Sequence, residues 1–300
     1  MTVSRFAVSQ RRIRRPDAYW LLVAPALVLI AAFYLLPLLG ILQLSVREFD
    51  GEGEASVLGN YALLFSDAGI QRMLWRTVRV CAITTVLTVG CGYVLAYAMV
   101  TVGTRQRALL LSAVLLTFWL SVLIRAFAWT ILLGTGGPAE TVVNALVRPF
   151  VALGAVDAPV RLIRTEAGVV IGMVHAMVPY AVLPLFANMR GIDRGLVLAA
   201  RGLGATRWGA FRRVWMPLSM PGVIAALILI FVFSLGFYVT PALLGGGKVV
   251  MVAEYVRISL EQTLRWGLAA MLASTMLIAT LALALLMGRV VDVRTMTGAK

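Results

Sequence analysis

Few residues in this 300-residue chain could do chemistry, and those few are scattered. There is one histidine, His175, so a two-histidine zinc pair of the H-E-x-x-H kind cannot form. No G-x-S-x-G elbow is present to raise a nucleophilic serine. Gly245, Gly246, Gly247 and Lys248 are similar in type to a phosphate loop. However, Ala242 stands where that loop needs its first glycine, and Val249 stands where Ser or Thr would bind magnesium. If ATP drives this protein, another polypeptide must hydrolyse it. Cys81 and Cys91 are ten residues apart in one apolar segment. On a helix that is about 15 Å of rise, too far for a disulfide between them. They read as small apolar fillers. The expectation is a chain with no bound cofactor, no metal and no enzyme activity of its own.

The remaining candidates sit inside apolar runs. Arg125 lies within one of them, where a charge is costly and functional placement is the default reading. It lies in the second half of that run and could instead snorkel to the nearer interface. Phe118, Trp119, Phe127 and Trp129 surround it in sequence. Tryptophan near a membrane end is usually belt, but rings beside a path can also attract a cation. A second cluster holds Phe231, Phe233, Phe237, Tyr238 and Thr240, with Gly236 and Pro241 permitting a bend. Trp119, Arg125, Trp129, His175, Phe237, Tyr238 and Thr240 form the candidate translocation path. A cationic solute requires Arg125 to be paired or turned away, whereas an anionic or zwitterionic solute would welcome it.

The elements that must position these residues are membrane helices. Hydrophobic residues make up 61% of the chain and charged ones 13%, against about 25% charged in a soluble domain. Apolar runs approach or exceed the ~20 residues that cross a bilayer. The fold class expected is all-α, polytopic, with six spans. The first is 19–44, with Pro25 and Pro37 as kinks. It is too long for a signal-peptide core and reads as retained, despite the paired arginines before it. The others are 80–100, 108–134, 167–188, 223–244 and 266–287. Residues 45–79 and 248–265 read as loops, and a short interfacial helix is expected between Ala139 and Leu153. A basic tail (1–18) and a second tail (288–300) flank a core of five spans over 80–287.

Six spans put both termini on one side. That side carries sixteen basic residues against three acids, while the other carries ten of each. The positive-inside bias places both termini in the cytoplasm. The formal charge of +14 is thus a topology signal that implies contact with anionic lipid and gives no reason to expect nucleic acid as a partner.

The longest polar, basic interruption in the second half is 192–222. Leu196, Ala199, Ala200 and Leu203 fall on one face at helical spacing, Gly204 offers a turn, and Thr206 to Trp215 forms a second amphipathic piece. Pro217 and Pro221 bracket its end. Ala199-Ala200, Gly204 four residues later, then nine residues before Val214-Trp215-Met216-Pro217 resembles the EAA loop of ABC importer permeases. The acidic residue of that motif is Leu198 here. Phe118-Trp119, Leu123-Ile124-Arg125, Trp129, Pro179-Tyr180 through Pro184-Leu185, and Phe231 through Gly246 are similar to spermidine/putrescine-type permeases. Asn60-Tyr61, Thr77 and Ala96-Tyr97-Ala98 fit the same pattern.

This resemblance implies a type I importer permease fold in a bacterial inner membrane. It implies a second permease subunit, two ATP-binding subunits and an extracytoplasmic solute-binding protein as partners. It also implies that Leu198, Ala199, Ala200, Arg201, Gly204, Arg207, Val214, Met216 and Pro217 dock on the ATPase. The solute implied is a small one, with polyamines such as putrescine or spermidine foremost. An ion-gradient-driven transporter is the alternative, as is an importer of another small solute. No Asp or Glu lies within the six expected spans, which argues against ion coupling.

Overall fold

The structure is a computed structural model that describes residues 19–47, 59–152 and 160–290. The expected tails, 1–18 and most of 288–300, lie outside the described residues. All described elements are helical. They run α1 (Tyr19–Ile30), α2 (Leu36–Arg47), α3 (Gly59–Ser66), α4 (Ala68–Thr101), α5 (Thr104–Trp119), α6 (Val122–Leu132) and α7 (Pro138–Ala152). Then come α8 (Glu166–Arg190), α9 (Arg194–Gly202), α10 (Arg207–Ala210), α11 (Met216–Leu235), α12 (Val239–Gly245), α13 (Val252–Glu261) and α14 (Trp266–Val290). Among the described residues five helices are long and apolar enough to cross a membrane, and the bent α5–α6 pair makes a sixth if taken as one span.

The core is α4, α8 and α11 packed side by side, with α12 and α6 against the outer part of α8. A Cβ on Gly92 of α4 would lie 3.0 Å from the Ala181 Cβ of α8, so the small residues let the two backbones approach closely. Met173, Met177, Leu185 and Ile230 fill the space between helices and are fully buried. The first span packs through α2 on α14, at the edge of the bundle.

Two short π-helical turns, Ala31–Leu35 and Phe211–Trp215, each end two residues before a proline, Pro37 and Pro217. Proline cannot donate to the carbonyl four residues back and its ring crowds that carbonyl. A wider π turn absorbs the misfit while the helix continues. Pro217 and Pro221 therefore do not end the second piece of the basic loop. Helix runs unbroken from Arg207 to Leu235, so the fifth span starts well before Val223.

Other expectations also give way. The third span is not one helix over 108–134: it breaks at Leu120–Ser121 and turns by 98°. The fifth does not reach Leu244, because α11 stops at Leu235 and α12 begins only after Gly236–Tyr238. The second starts at Ala68, not Val80; the Asp67 carboxylate accepts from Gly69 N–H at 2.6 Å and Ile70 N–H at 3.1 Å, capping it there. The expected loops 45–79 and 248–265 contain α3 and α13. A helix does occupy the stretch where an interfacial one was expected, as α7.

Candidate functional site

The basic loop folds as a helix, a sharp turn and a second helix. Asp193 caps α9 by accepting from Gly195 N–H at 2.8 Å, and Thr206 caps α10 by accepting from Gly209 N–H at 3.0 Å. Between them Gly204 sits at φ +91°, backbone that residues with a Cβ rarely adopt. Its N–H donates to the Arg201 carbonyl, and Ala205 N–H donates to the Ala200 carbonyl, both at 3.0 Å. That pair of bonds is the Schellman arrangement, which closes a helix end and redirects the chain.

Most apolar residues of the loop's first helix and its C-cap face outward. Leu198 is 64% exposed and Leu203 91%, with Leu196 and Ala199 also open. The face expected at helical spacing exists, but only Val197 and Ala200 turn towards the protein. Arg194, Arg201, Arg207, Arg212 and Arg213 are exposed around it. An apolar ridge rimmed by arginines suits a complementary groove rather than water. Val214 is half-buried, while Met216 and Pro217 are exposed beside the π turn.

Residues not singled out for this role in the sequence tie the loop to the bundle. Tyr97 of α4 packs edge-on against Phe211 and Trp215, each at 5.5 Å between ring centroids. Tyr93 hydroxyl and Ser219 Oγ share a hydrogen bond of 2.9 Å. Trp208 stacks on Phe211. Such aromatic pairs add about 0.5–1.5 kcal/mol each beyond burial. These contacts join α10 and the π turn to α4. The signal in the sequence was the Tyr93/Tyr97 spacing of four, one helix face opposite an aromatic-rich loop.

The candidate path residues do not form one cluster. Arg125 is 8% exposed and lines a cavity of about 310 Å³ with Tyr180, Phe233, Gly236 and Phe237. It neither snorkels nor pairs. Its Nε is buried without a hydrogen-bond partner, and the ion pairs among the described residues are those of Arg76, Arg79 and Arg257. The α5–α6 bend carries it to the middle of α8, beside Ala176 and Met177. Trp129 donates its indole N–H to His175 Nδ1 at 3.1 Å, making a second, separate contact between α6 and α8. Tyr180 packs edge-on against Phe118 and Phe233. Trp119 is 88% exposed and Tyr238 faces a different groove, between α11, α13 and α14. Thr240 is buried against Gly172 and serves packing.

Among the described residues no group of three His, Cys, Asp or Glu side chains could hold a metal ion. Cys81 is buried, Cys91 is exposed, and both are free thiols.

Comparison with known proteins bears on this arrangement. Residues 18–294 match the model of the family described as binding-protein-dependent transport system inner membrane component. The chain belongs to that family. It is therefore a multi-pass inner-membrane transport subunit that works with a solute-binding protein. It is similar to the spermidine/putrescine transport system permease protein PotB of Haemophilus influenzae, 33% identical over 254 residues, which cover 83% of this chain and 86% of that one. Its fold matches a chain of a bacterial ABC transporter involved in the import of the acidic polysaccharide alginate. That match has TM-score 0.66 and 18% identity and covers 90% of this chain and 94% of the other. The same fold is met, again at TM-score 0.66 with 17% identity, over 90% of this chain and 92% of the other. That second structure is the alginate transporter in complex with its alginate pentasaccharide-bound periplasmic protein. The permease thus has the type I ABC importer fold, and the ion-gradient-driven alternative is not favoured.

Proposed function

We propose that this permease forms half of the translocation path of an ATP-driven importer for polyamines such as putrescine or spermidine. A second permease subunit supplies the other half, and a binding protein delivers the solute. The choice of polyamine rests on the likeness to the H. influenzae permease over most of both chains. Rings at Tyr180, Phe233 and Phe237 can attract a cation, but Arg125 lies unpaired in the same cavity and must be neutralised there before a polyamine can use them.

Two ATPase subunits drive the cycle from the cytoplasm, one of them gripping 192–222. The observation that carries this reading is the outward apolar ridge of α9, held at a fixed angle to α10 by the Schellman turn at Gly204. Leu198, Ala199, Ala200, Arg201, Gly204 and Arg207 make the contact, and Val214, Met216 and Pro217 continue it into α11. With Leu198 in place of an acid, apolar burial does more of the docking and charge less. Both termini lie in the cytoplasm, as the charge bias requires, and the exposed arginines of the loop rest near anionic lipid.

The test has two parts. Deleting the gene should abolish uptake of labelled putrescine or spermidine, and uptake left unchanged would exclude polyamines. Tagged permease should bring down an ATPase subunit from solubilised membranes, and its absence from an otherwise intact complex would refute the docking role.

A further inference from the structure

We infer that the cavity at the α5–α6 break is a carboxylate-binding site built on Arg125. The inference rests on the importer reading only for where the carboxylate comes from. Arg125 is more than nine-tenths buried, and its Nε has no hydrogen-bond partner among the described residues. A buried guanidinium stays charged, and leaving it without an anion is costly. The described part of this chain has no acid to offer it. Asp67 and Asp193 cap helices, and Glu140 accepts from Gly136 N–H. Glu166 pairs with Arg79, and Glu261 with Arg257. Glu254 is buried on α13, and none of the six lines the cavity.

The backbone adds to the positive pole. Val122, the first residue of α6, lines the same cavity, and the Ser121 side chain caps nothing there. The first turn of this eleven-residue helix has N–H groups without a partner in the helix, and of its first three residues Val122 lines the cavity. Val232, Phe233 and Gly236, where α11 stops, line the cavity too, and of the carbonyls in that last turn Ser234 O already accepts from Phe237 N–H. The cavity thus brings Arg125 and the start of α6 together with aromatic rings and the end of α11. At about 310 Å³ it has room for a short aliphatic chain or one side chain.

The carboxylate has two possible sources. If the solute is a simple diamine, it must be an Asp or Glu of the second permease subunit, reaching across the path to neutralise Arg125. If the solute itself carries a carboxylate beside its amine, it supplies the anion that Arg125 lacks. The two differ in what Arg125 holds, and not in the chemistry of holding it.

The test uses the importer complex of both permease subunits and the ATPase, purified with wild-type, R125K or R125M permease, with the binding protein added only for uptake. Methionine keeps an unbranched stem for packing, and lysine keeps the charge. Recovery of the second permease subunit is read first, then thermal shift of the complex without binding protein by putrescine and by 4-aminobutyrate, its one-carboxylate analogue. If the partner supplies the carboxylate, R125M lowers recovery of the second subunit, R125K restores part of it, and 4-aminobutyrate gives no shift. If the solute supplies it, recovery is unchanged. The shift by 4-aminobutyrate is then present in wild type and weakened about tenfold or more in R125M, as for the loss of one half of a charged hydrogen-bonded pair. Normal recovery in R125M with an equal response to both solutes in wild type and variant would overturn the inference. Reconstituted wild-type complex that takes up no putrescine would remove the polyamine reading alone, since recovery and thermal shift do not depend on it.

Discussion

The Trp129 indole N–H and the His175 imidazole meet at 3.1 Å, with Nδ1 as the acceptor, and so join the bent α6 to the middle of α8. The only histidine is thereby given a bridging job. With Nδ1 accepting, the proton of the neutral ring sits on Nε2. Trp129→Phe keeps the ring and removes the donor. It should lower the unfolding midpoint of the solubilised permease by the equivalent of about 1 kcal/mol, the usual scale for such a bond between membrane helices. His175→Gln should keep ATP-driven uptake. Complete loss of uptake in a well-inserted His175→Gln variant would give the histidine a role in the path instead.

Buried Glu254 gives the protein a pH dependence. Desolvation pushes its pKa above the ordinary carboxylate value of 4.5, and neighbouring Arg257 offsets only part of that. A raised folded pKa means that the native state holds this proton more tightly than the unfolded chain. Its ionisation costs the fold nothing below pH 4.5, and stability falls as pH climbs from there through the raised value. Glu254→Gln should flatten that stretch of the curve of unfolding temperature against pH. An unchanged slope in the variant would assign the dependence to other groups.

Tyr97 links α4 to the loop through Phe211 and Trp215. Tyr97→Ala should leave the permease inserted and still associated with its ATPase, because Leu198, Leu203 and the exposed arginines are untouched. Uptake per ATP hydrolysed should fall several-fold, since the contact that passes movement to α4 is gone. Equal coupling ratios in variant and wild type would show that α11 alone transmits the motion.

Topology is tested at Ala299 in a chain whose own thiols have been replaced. Cys81 is fully buried, so alanine suits it better than serine, which would bury a hydroxyl. Cys91 is exposed and tolerates either. Ala299→Cys should resist an impermeant thiol reagent in intact cells and react once the membrane is opened. Labelling from outside would reverse the assignment.

The spans were legible because a run of apolar residues is a strong, local signal, and four of the six appear where hydropathy puts them or extend from there. The breaks were not. Nothing in Leu120–Ser121 marks a 98° turn: neither is Gly or Pro, and the bend is paid for by packing of α6 on α12 and α8. The break at Gly236 carried a signal in Gly236 and Pro241, though not its consequence, a helix end at Leu235. Short helices such as α3 and α13 hid inside polar stretches because only a few of their residues are buried, and those pack chiefly on the span that follows. Burial of Arg125 follows from the bend, so the residue was noticeable in the sequence but its surroundings were not. The turn at Gly204 was readable, since a left-handed closure needs glycine and depends on few distant contacts.

That turn gives the sharpest test of coupling. A Cβ at Gly204 would meet nothing within 4 Å, so substitutions there cost backbone strain and leave packing within this chain alone. At φ +91° the strain grows from Asn, which tolerates left-handed backbone, through Ala to Val. Gly204→Ala should cost about 1–2 kcal/mol locally, enough to let α9 swing from its angle to α10. Recovery of ATPase with the permease and ATP-driven uptake should then fall in the order Gly, Asn, Ala, Val, while membrane levels stay constant because the spans are unaffected. Gly204→Asp belongs between Asn and Ala, with a further penalty if the groove that receives the arginine rim is acidic. A passive loop predicts no order among these four and a larger effect from neutralising arginines. Leu198→Glu supplies the converse test. Leu198 is exposed and touches no core residue, so a carboxylate there costs this chain little. If docking retains a polar contact, Leu198→Glu should raise ATPase recovery or leave it unchanged. A loss comparable to Gly204→Val would mean that the groove at this position is apolar, and that burial of Leu198 has replaced the acid's role.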